Sequence, residues 1–158
     1  MDSSVLINFL LIDRMDLLVG RFVVTTHVAD EISSDFPKQR ARFELALATG
    51  AVEQHDVVDA AAIEHFGRLR ATGRLGAGEC AAIAYAVTNG FALALDDRLA
   101  AREASTLMPA PRILRTADLI VAAIRAGRLT LAEADAIKDM WEKEHRFRLK
   151  ITSFGDLL

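Results

Sequence analysis

Short apolar, β-branched runs alternate with segments of helical character along this chain, and this alternation constrains its fold more than any other feature. RFVVTT at positions 21–26 is followed at once by VADEI, and FALAL at positions 91–95 is followed by two aspartates and RLAAREA. Strands that alternate with helices are typical of α/β folds with a mainly parallel sheet. A chain of 158 residues suits one compact domain. We therefore predict a single α/β domain over residues 1–158.

Residues that start or stop helices predict where the elements lie. Proline favours the first turn of a helix, glycine follows the last turn, and short polar side chains cap the amino end. AVEQHDVV is expected to be extended, PAP at positions 109–111 to form a loop, RIL to form a short last strand, and KITSFGDLL to be extended if it is regular at all. The predicted helix boundaries are a start at Pro37, stops at Gly50, Asn89-Gly90 and Gly127, caps at Asp59 and Thr116, and a capping box over positions 130–133.

Composition and charge exclude several classes of protein. The formal net charge of -3 argues against a broad cationic surface for nucleic acid, although a small basic patch is compatible with it. Cys80 is the single cysteine and the four histidines are scattered, so neither an intramolecular disulfide nor a zinc site is expected. The apolar run VLINFLLI is too short to cross a bilayer and lacks the features of a signal peptide. We expect a soluble, cytoplasmic protein with no membrane partner.

The stretch LGAGECAAIAYA, positions 75–86, matches the spacing of a dinucleotide-binding fingerprint through Gly76, Gly78 and Ala81. Asp96 follows at the distance where an acid that binds ribose would be expected. Two observations oppose this interpretation. The preceding residues EHFGRLRATGRL are charged and helix-like, whereas the fingerprint needs a strand, and Glu79 would place an anion where the pyrophosphate binds. A nucleotide-binding domain is therefore the weakest of three interpretations.

Carboxylates stand at four separate places where a helix is expected to begin. They are Asp2 ahead of VLINFLLI, Glu31 in VADEI, Glu79 in LGAGEC, and Asp96 with Asp97 after FALAL. Sites in α/β proteins lie at the carboxyl ends of the parallel strands, so these side chains could face one crevice. Carboxylates brought together repel unless a cation lies among them, and Mg²⁺ or Mn²⁺ is a hard, oxygen-seeking ion that fits. The plainer interpretation is that each acid stabilises the amino end of a helix.

The segments that carry these acids resemble a known family. DSSVLIN, positions 2–8, resembles the opening Asp-Ser/Thr-x-x-Leu segment of PIN domains, and VADEI resembles their Val-x-x-Glu-Ile helix. LGAGECAAIAYA is similar to the Leu-Gly-x-Gly-Glu-Ala helix of one subgroup, and LALDDRLAAREA to its Asp-Asp-x-x-Ala-Arg segment. These two are the most specific matches. The resemblance covers residues 2 to about 127 and points to the toxin ribonucleases of VapBC-type toxin–antitoxin pairs or close relatives. It implies a three-layer PIN-like fold.

Carried over position by position, the resemblance implies an acidic quartet that holds Mg²⁺ or Mn²⁺ and supports catalysis. Asp97 aligns with the last acid because an arginine follows it directly, which leaves Asp96 as either a further ligand or the helix N-cap. The quartet consists of Asp2, Glu31, Glu79 and Asp97.

The opening residues depart from the family pattern. Ser3 and Ser4 would lie beside the metal pocket, where they either contact substrate or cap the first helix. Family members usually have several residues of apolar strand before the first aspartate, whereas only Met1 precedes Asp2 here. Either the first strand is truncated and Asp2 is poorly anchored, or the start lies upstream.

The resemblance implies metal-dependent, endonucleolytic hydrolysis of RNA, with a small antitoxin and a second copy of the chain as protein partners. Arg98 and Arg102 lie four residues apart after Asp97, on one helical face, and are candidate phosphate contacts unless they pair with nearby acids. VLINFLLI and LIVAAIRAG are apolar enough to serve a subunit or antitoxin contact. Further candidates for RNA contact are Arg68, Arg70, Arg74 and the segment EHRFRLK with Phe147, which is more simply an amphipathic edge. The alternative function is a catalytically silent PIN-like adaptor that binds RNA or protein.

Overall fold

A computed structural model describes residues 1–32, 34–108 and 112–158. Helices and short strands alternate along the chain, as the sequence predicts. The helices are α1 (Ser3–Ile12), α2 (Thr26–Asp30), α3 (Pro37–Ala48), α4 (Ala60–Ala71), α5 (Ala77–Asn89), α6 (Arg98–Ser105), α7 (Thr116–Arg125) and α8 (Leu131–Glu144), with 3₁₀ turns at Met15–Leu17 and Phe154–Leu157. The strands are β1 (Val23–Thr25), β2 (Glu53–His55), β3 (Leu93–Ala94) and β4 (Ile113–Leu114).

The strands form two parallel pairs rather than one continuous ladder. β1 pairs with β2, with Val23 opposite Glu53, and β3 pairs with β4, with Leu93 opposite Ile113. The first two residues join the pairs through backbone bonds: the Met1 amine donates to the Val23 carbonyl at 2.7 Å, and the Asp2 N–H donates to the Ala94 carbonyl at 2.9 Å. The parallel arrangement confirms the predicted α/β class, and Asp2 lies where the two pairs meet.

Helix α5 lies in the centre of the fold. It contacts α2, α4, β1 and β3, and its residues from Cys80 to Ala84 are buried. Small alanine side chains let the neighbouring elements approach closely, which explains how a chain with few aromatic residues packs a core. Most side chains of VLINFLLI and LIVAAIRAG are buried in the core, so few of them are left for the subunit or antitoxin contact that the sequence suggests: Val5, Leu6, Phe9, Leu10, Leu119, Ile120, Val121 and Ala123 are buried.

Most predicted helix boundaries are confirmed. Two caps differ from the prediction: Asp59 precedes α4 without a side-chain capping bond, and Arg115 rather than Thr116 is the N-cap of α7. The C-terminal tail ends in a 3₁₀ turn, not an extended segment, and the predicted loop at positions 109–111 lies outside the described residues. Over the described ranges, no helix has the length and apolarity needed to cross a membrane.

Candidate acidic site

The four predicted acids all lie at the ends of elements that surround the junction of the two strand pairs. Asp2 is the N-cap of α1, and Glu31 is the C-cap of α2, the helix that follows β1. Glu79 lies in the first turn of α5, and Asp97, shortly after β3, is the N-cap of α6. These four residues are called the acidic site below.

Asp2 is the most buried member of the acidic site, with 2% of its surface exposed. Its Oδ2 accepts hydrogen bonds from the Ser4 hydroxyl at 2.7 Å and from the Ser4 N–H at 3.3 Å. Its Oδ1 is buried and has no hydrogen-bond partner among the residues that the structure describes. Together with the bond from the Asp2 N–H to Ala94, this geometry contradicts the expectation that Asp2 is poorly anchored. A buried carboxylate oxygen without a partner is energetically costly, so it points to a missing cationic or donor group.

Glu31 is exposed at the surface but is held from two sides. The Ser3 hydroxyl donates to its Oε2 at 2.5 Å, and the Gly78 N–H donates to its Oε1 at 3.0 Å. Ser3 is therefore engaged with this acid, and Ser4 with Asp2, rather than capping α1. The two hydroxyls that were expected beside the site do lie there, bonded to its carboxylates.

Glu79 closes a capping box at the amino end of α5. Its Oε2 accepts a hydrogen bond from the Gly76 N–H at 2.9 Å. Burial raises the pKa of Glu79, and the charges of Asp2, Asp97 and Glu31 raise it further, against the lowering effect of the bond from Gly76. The charges of these three carboxylates therefore act on Glu79 in the same direction as its burial.

Asp96 and Asp97 have different surroundings. Asp97 is exposed, and its Oδ1 accepts from the Ala100 N–H at 2.8 Å, so the N-cap is Asp97 and not Asp96. Asp96 instead binds buried polar groups: its Oδ2 accepts from the Thr116 hydroxyl at 2.5 Å and from the Asn8 amide at 3.2 Å, and its Oδ1 accepts from the Thr116 N–H at 2.9 Å. With both oxygens used in this way, Asp96 supports the loop that carries Asp97.

A divalent cation needs several oxygen ligands within reach of one point. In the described parts of the chain, no three Asp, Glu, His or Cys side chains stand close enough to hold one ion together. Glu31 and Glu79 are turned instead onto the N–H groups of Gly78 and Gly76. The chemistry of the set does suit Mg²⁺ or Mn²⁺, because it offers only oxygen donors and one of them, Asp2 Oδ1, is buried without a partner. The residues thus fit the ion by type and location, while the closed ligand shell expected from the sequence is not formed.

The candidate RNA-binding arginines fall into two groups. Arg98 and Arg102 are exposed on α6, and their guanidinium groups make no hydrogen bond or ion pair with any described residue. The other three are engaged: Arg68 pairs with Glu64, Arg70 donates to the Leu75 carbonyl, and Arg74 pairs with Glu103. In EHRFRLK, Phe147 packs edge-on against Trp141 at 5.5 Å, which makes it part of the core edge rather than a stacking platform for bases.

A cavity of about 310 Å³ lies beside β1 and β3. It is mostly apolar, and its lining includes Phe22, Val23, Ala86, Phe91 and Leu114. None of the predicted site residues lines it. The acidic site is therefore separate from this cavity.

Sequence patterns missed several residues that shape the site. The sequence places Gly78 in the nucleotide fingerprint and in the Leu-Gly-x-Gly-Glu segment but does not pair it with Glu31, and it does not point to Asn8 or Arg115. The Arg115 guanidinium donates to the backbone carbonyl of Asp96, and so braces the same loop as Thr116. Asn8 offered a signal, since it is a polar residue inside the apolar run VLINFLLI. The nucleotide interpretation fails on structure, because helix α4 ends at Ala71 and a turn leads from it to Gly76.

The fold and the site define an α/β protein with parallel strands and a group of carboxylates around the carboxyl ends of β1 and β3. Comparison with protein families identifies which group of such proteins this is. The family model DUF3368, described as a PIN domain, matches residues 1–157, so the chain belongs to the PIN-domain family. PIN domains are generally nucleases. The comparisons with curated proteins and with solved structures each gave no significant match.

Proposed function

We propose that this chain is a divalent-cation-dependent endoribonuclease that hydrolyses RNA phosphodiester bonds at the acidic site. The observation that carries the proposal is Asp2 Oδ1, a buried carboxylate oxygen without a described partner, in a group of acids that raise the pKa of Glu79. A divalent cation bound among these acids would relieve both the unmet hydrogen bonding and the mutual repulsion. Membership of the PIN-domain family supports the nuclease class.

Each residue has a distinct part in the proposed reaction. Mg²⁺ or Mn²⁺, held by Asp2, Glu31, Glu79 and Asp97, would supply Lewis-acid stabilisation of the scissile phosphate and activation of water. Arg98 and Arg102 are exposed on the helix that Asp97 caps, so they would bind the phosphates that flank the scissile bond. Asp96 would act through Thr116 and Asn8 to fix the position of Asp97.

A circular RNA incubated with the purified protein tests the proposal. An endonuclease linearises it, whereas an exonuclease cannot begin on it. We expect linear products with Mg²⁺ or Mn²⁺, none with chelator, and none from Asp97→Asn, which keeps the oxygen that caps α6. Because water is the expected nucleophile, the products should lack a 2′,3′-cyclic phosphate. Equal cleavage with chelator, or by Asp97→Asn, would refute the proposal.

A catalytically silent adaptor is the second candidate. It is favoured by the observation that Glu31 and Glu79 accept hydrogen bonds from the amino end of α5, where acids stabilise a helix without any metal. On this account the protein would bind RNA, or a protein, with no cleavage at any Mn²⁺ concentration. An electrophoretic mobility assay run beside the cleavage assay separates the two functions.

The partners implied by the resemblance belong to the same proposal: a small antitoxin, a second copy of the chain, and a role as the toxin of the pair. The residues available for such contacts are exposed apolar side chains outside the core. The most exposed of the large apolar side chains are Val58, Phe36, Leu45 and Ile63, which are 71%, 63%, 60% and 54% exposed. Sedimentation of the protein alone, and with the product of a neighbouring short gene, tests both contacts. A monomer that binds no such product would remove the toxin–antitoxin part and leave the nuclease part intact.

A further inference from the structure

Gly78 has no room for a side chain, because the carboxylate of Glu31 occupies the space. A Cβ built on Gly78 would lie 2.3 Å from Glu31 Oε1, 2.6 Å from Cδ and 2.8 Å from Oε2. The φ of Gly78 lies outside the left-handed region, so its backbone conformation is open to other residues. Glycine at this position thus leaves room for an acid that approaches closely, and the turn does not demand it.

The same carboxylate is bound from both sides. The Gly78 N–H, in the first turn of α5, donates to Oε1 at 3.0 Å, and the Ser3 hydroxyl, at the start of α1, donates to Oε2 at 2.5 Å. The starts of two helices that are far apart in the sequence thus hold the side chain of Glu31, which is the C-cap of α2. Because Ser3 is adjacent to Asp2, this arrangement sets Glu31 beside the buried member of the acidic site.

We propose that Gly78 and Ser3 are positioning residues for Glu31, and that Gly78 is a glycine so that this acid can reach the acidic site. The inference rests on the proposed function for its catalytic meaning. The glycine pair of LGAGEC then has two different tasks. Gly76 offers its N–H to Glu79 and has ordinary space around it, with the nearest atom at 3.6 Å, whereas Gly78 makes room for Glu31.

A methyl group at position 78 must push the Glu31 carboxylate away by about 1 Å or more, since van der Waals contact begins near 3.4 Å. The displaced carboxylate loses the hydrogen bond from Gly78 and moves relative to Asp2. Residues that orient metal ligands typically change metal affinity by roughly 10–100-fold when they are replaced. Gly78→Ala should therefore raise the Mn²⁺ concentration for half-maximal RNA cleavage by at least about tenfold.

Matched variants separate this role from a general effect on the helix. Gly67→Ala is the control, because Gly67 lies within α4 and an added Cβ meets nothing within 4 Å. It should leave the Mn²⁺ requirement unchanged and should not lower the melting temperature. Glu31→Asp shortens the acid by one methylene, so it should recover part of the Mn²⁺ affinity in the Gly78→Ala background. Ser3→Ala should raise the Mn²⁺ requirement severalfold, and Ser3→Thr, which keeps the hydroxyl, should restore it.

A double-mutant cycle in thermal unfolding tests the positioning itself, whether or not the protein cleaves RNA. The change in melting temperature caused by Gly78→Ala should be less favourable in the wild-type background than when Glu31 is already alanine, because the clash is then gone. An equal change in melting temperature in both backgrounds would overturn the proposal that Gly78 positions Glu31. If the two substitutions are coupled but Gly78→Ala leaves the Mn²⁺ requirement for RNA cleavage unchanged, the proposed role of Gly78 in catalysis is overturned. Absence of cleavage by the wild type would refute the proposed function while the cycle still decides the positioning.

Discussion

The backbone N–H of Asp2 donates a hydrogen bond to the carbonyl oxygen of Ala94 at 2.9 Å, which fixes the first acid against the last residue of β3. Asp97 follows β3 by three residues, so this single bond brings together acids that are about 95 positions apart in the chain. In the other strand pair, the Val23 carbonyl of β1 accepts a hydrogen bond from the Met1 amine. Strand β1 leads into α2, whose C-cap is Glu31. The start of the chain thus links both strand pairs and places Asp2 between them.

Glu79 has two possible roles, as a helix cap and as a metal ligand, and two substitutions distinguish them. Glu79→Gln keeps an oxygen that can accept from the Gly76 N–H, so its stability should match the wild type while cleavage is lost. Glu79→Ala removes both roles and should also cost about 1 kcal/mol in the free energy of unfolding. Urea denaturation and the RNA assay supply the two measurements. Full cleavage by Glu79→Gln would mean that Glu79 is only a cap.

Replacing Asp96 should lower the stability of the fold, whereas replacing Asp97 should abolish cleavage. Asp96→Ala removes the acceptor of the buried Thr116 hydroxyl and one of the two acceptors of the buried Asn8 amide, so we expect a loss of roughly 1–3 kcal/mol in the free energy of unfolding. Asp97→Asn should retain the cap of α6 and the stability, yet lose cleavage. Denaturant titration of both variants checks the contrast. If Asp96→Ala proved as stable as the wild type, the network around Thr116 would not brace the loop.

Features that depend on neighbouring residues could be predicted from the sequence, whereas features that depend on contacts between distant residues could not. Helix ends such as Gly50, Gly90 and the box at positions 130–133 follow from neighbouring residues, and their prediction is confirmed. The acids are predicted from their positions where helices are expected to begin and from motifs that resemble a family. Glu31 bound by Gly78, and Asp96 bound by Asn8, are contacts between residues 47 and 88 positions apart, which no local pattern encodes.

The same reasoning explains the errors. Asp96 and Asp97 are equally suited to cap α6 on local grounds, and only the contact of Asp96 with Thr116 decides between them. The apolar runs gave no sign of whether they face the core or a partner, because burial depends on the surrounding elements. Local propensity thus fixes the boundaries of helices, while the orientation of polar side chains follows from tertiary contacts.

Arg98 and Arg102 should contribute to RNA affinity without contributing to stability. Each guanidinium that neutralises a phosphate releases counterions, so replacing either by alanine should reduce the slope of log affinity against log salt by about 1. Melting temperatures should stay unchanged, because the described residues offer these side chains no ion pair. Lys143→Ala, which removes an exposed charge on α8, is the control. A salt slope that changes equally in all three variants would argue against a specific role for α6.

Glu53 provides a pH-dependent contact away from the acidic site. Hydrogen bonds from Arg21, and then from His55, lower the pKa of Glu53 to about 2 from its usual value of 4.5. A lowered pKa means that the charged form stabilises the fold, so this contribution is complete above pH 4.5 and is lost as the pH falls towards about 2. In Arg21→Ala the pKa should return towards 4.5, as an NMR titration of the Glu53 carboxyl carbon would show. No change in this pKa would contradict the pairing at 2.6 Å.

Titration of Mn²⁺ followed by electron paramagnetic resonance tests the central claim most directly, because it reports the ion without depending on any RNA. The wild type should bind Mn²⁺, and Asp2→Asn should bind it at least about tenfold more weakly. The folded state of Asp2→Asn should be retained, since an amide replaces a buried charge whose Oδ1 lacks a described partner. Mn²⁺ bound equally by the two proteins, or by neither at millimolar concentration, would contradict the account.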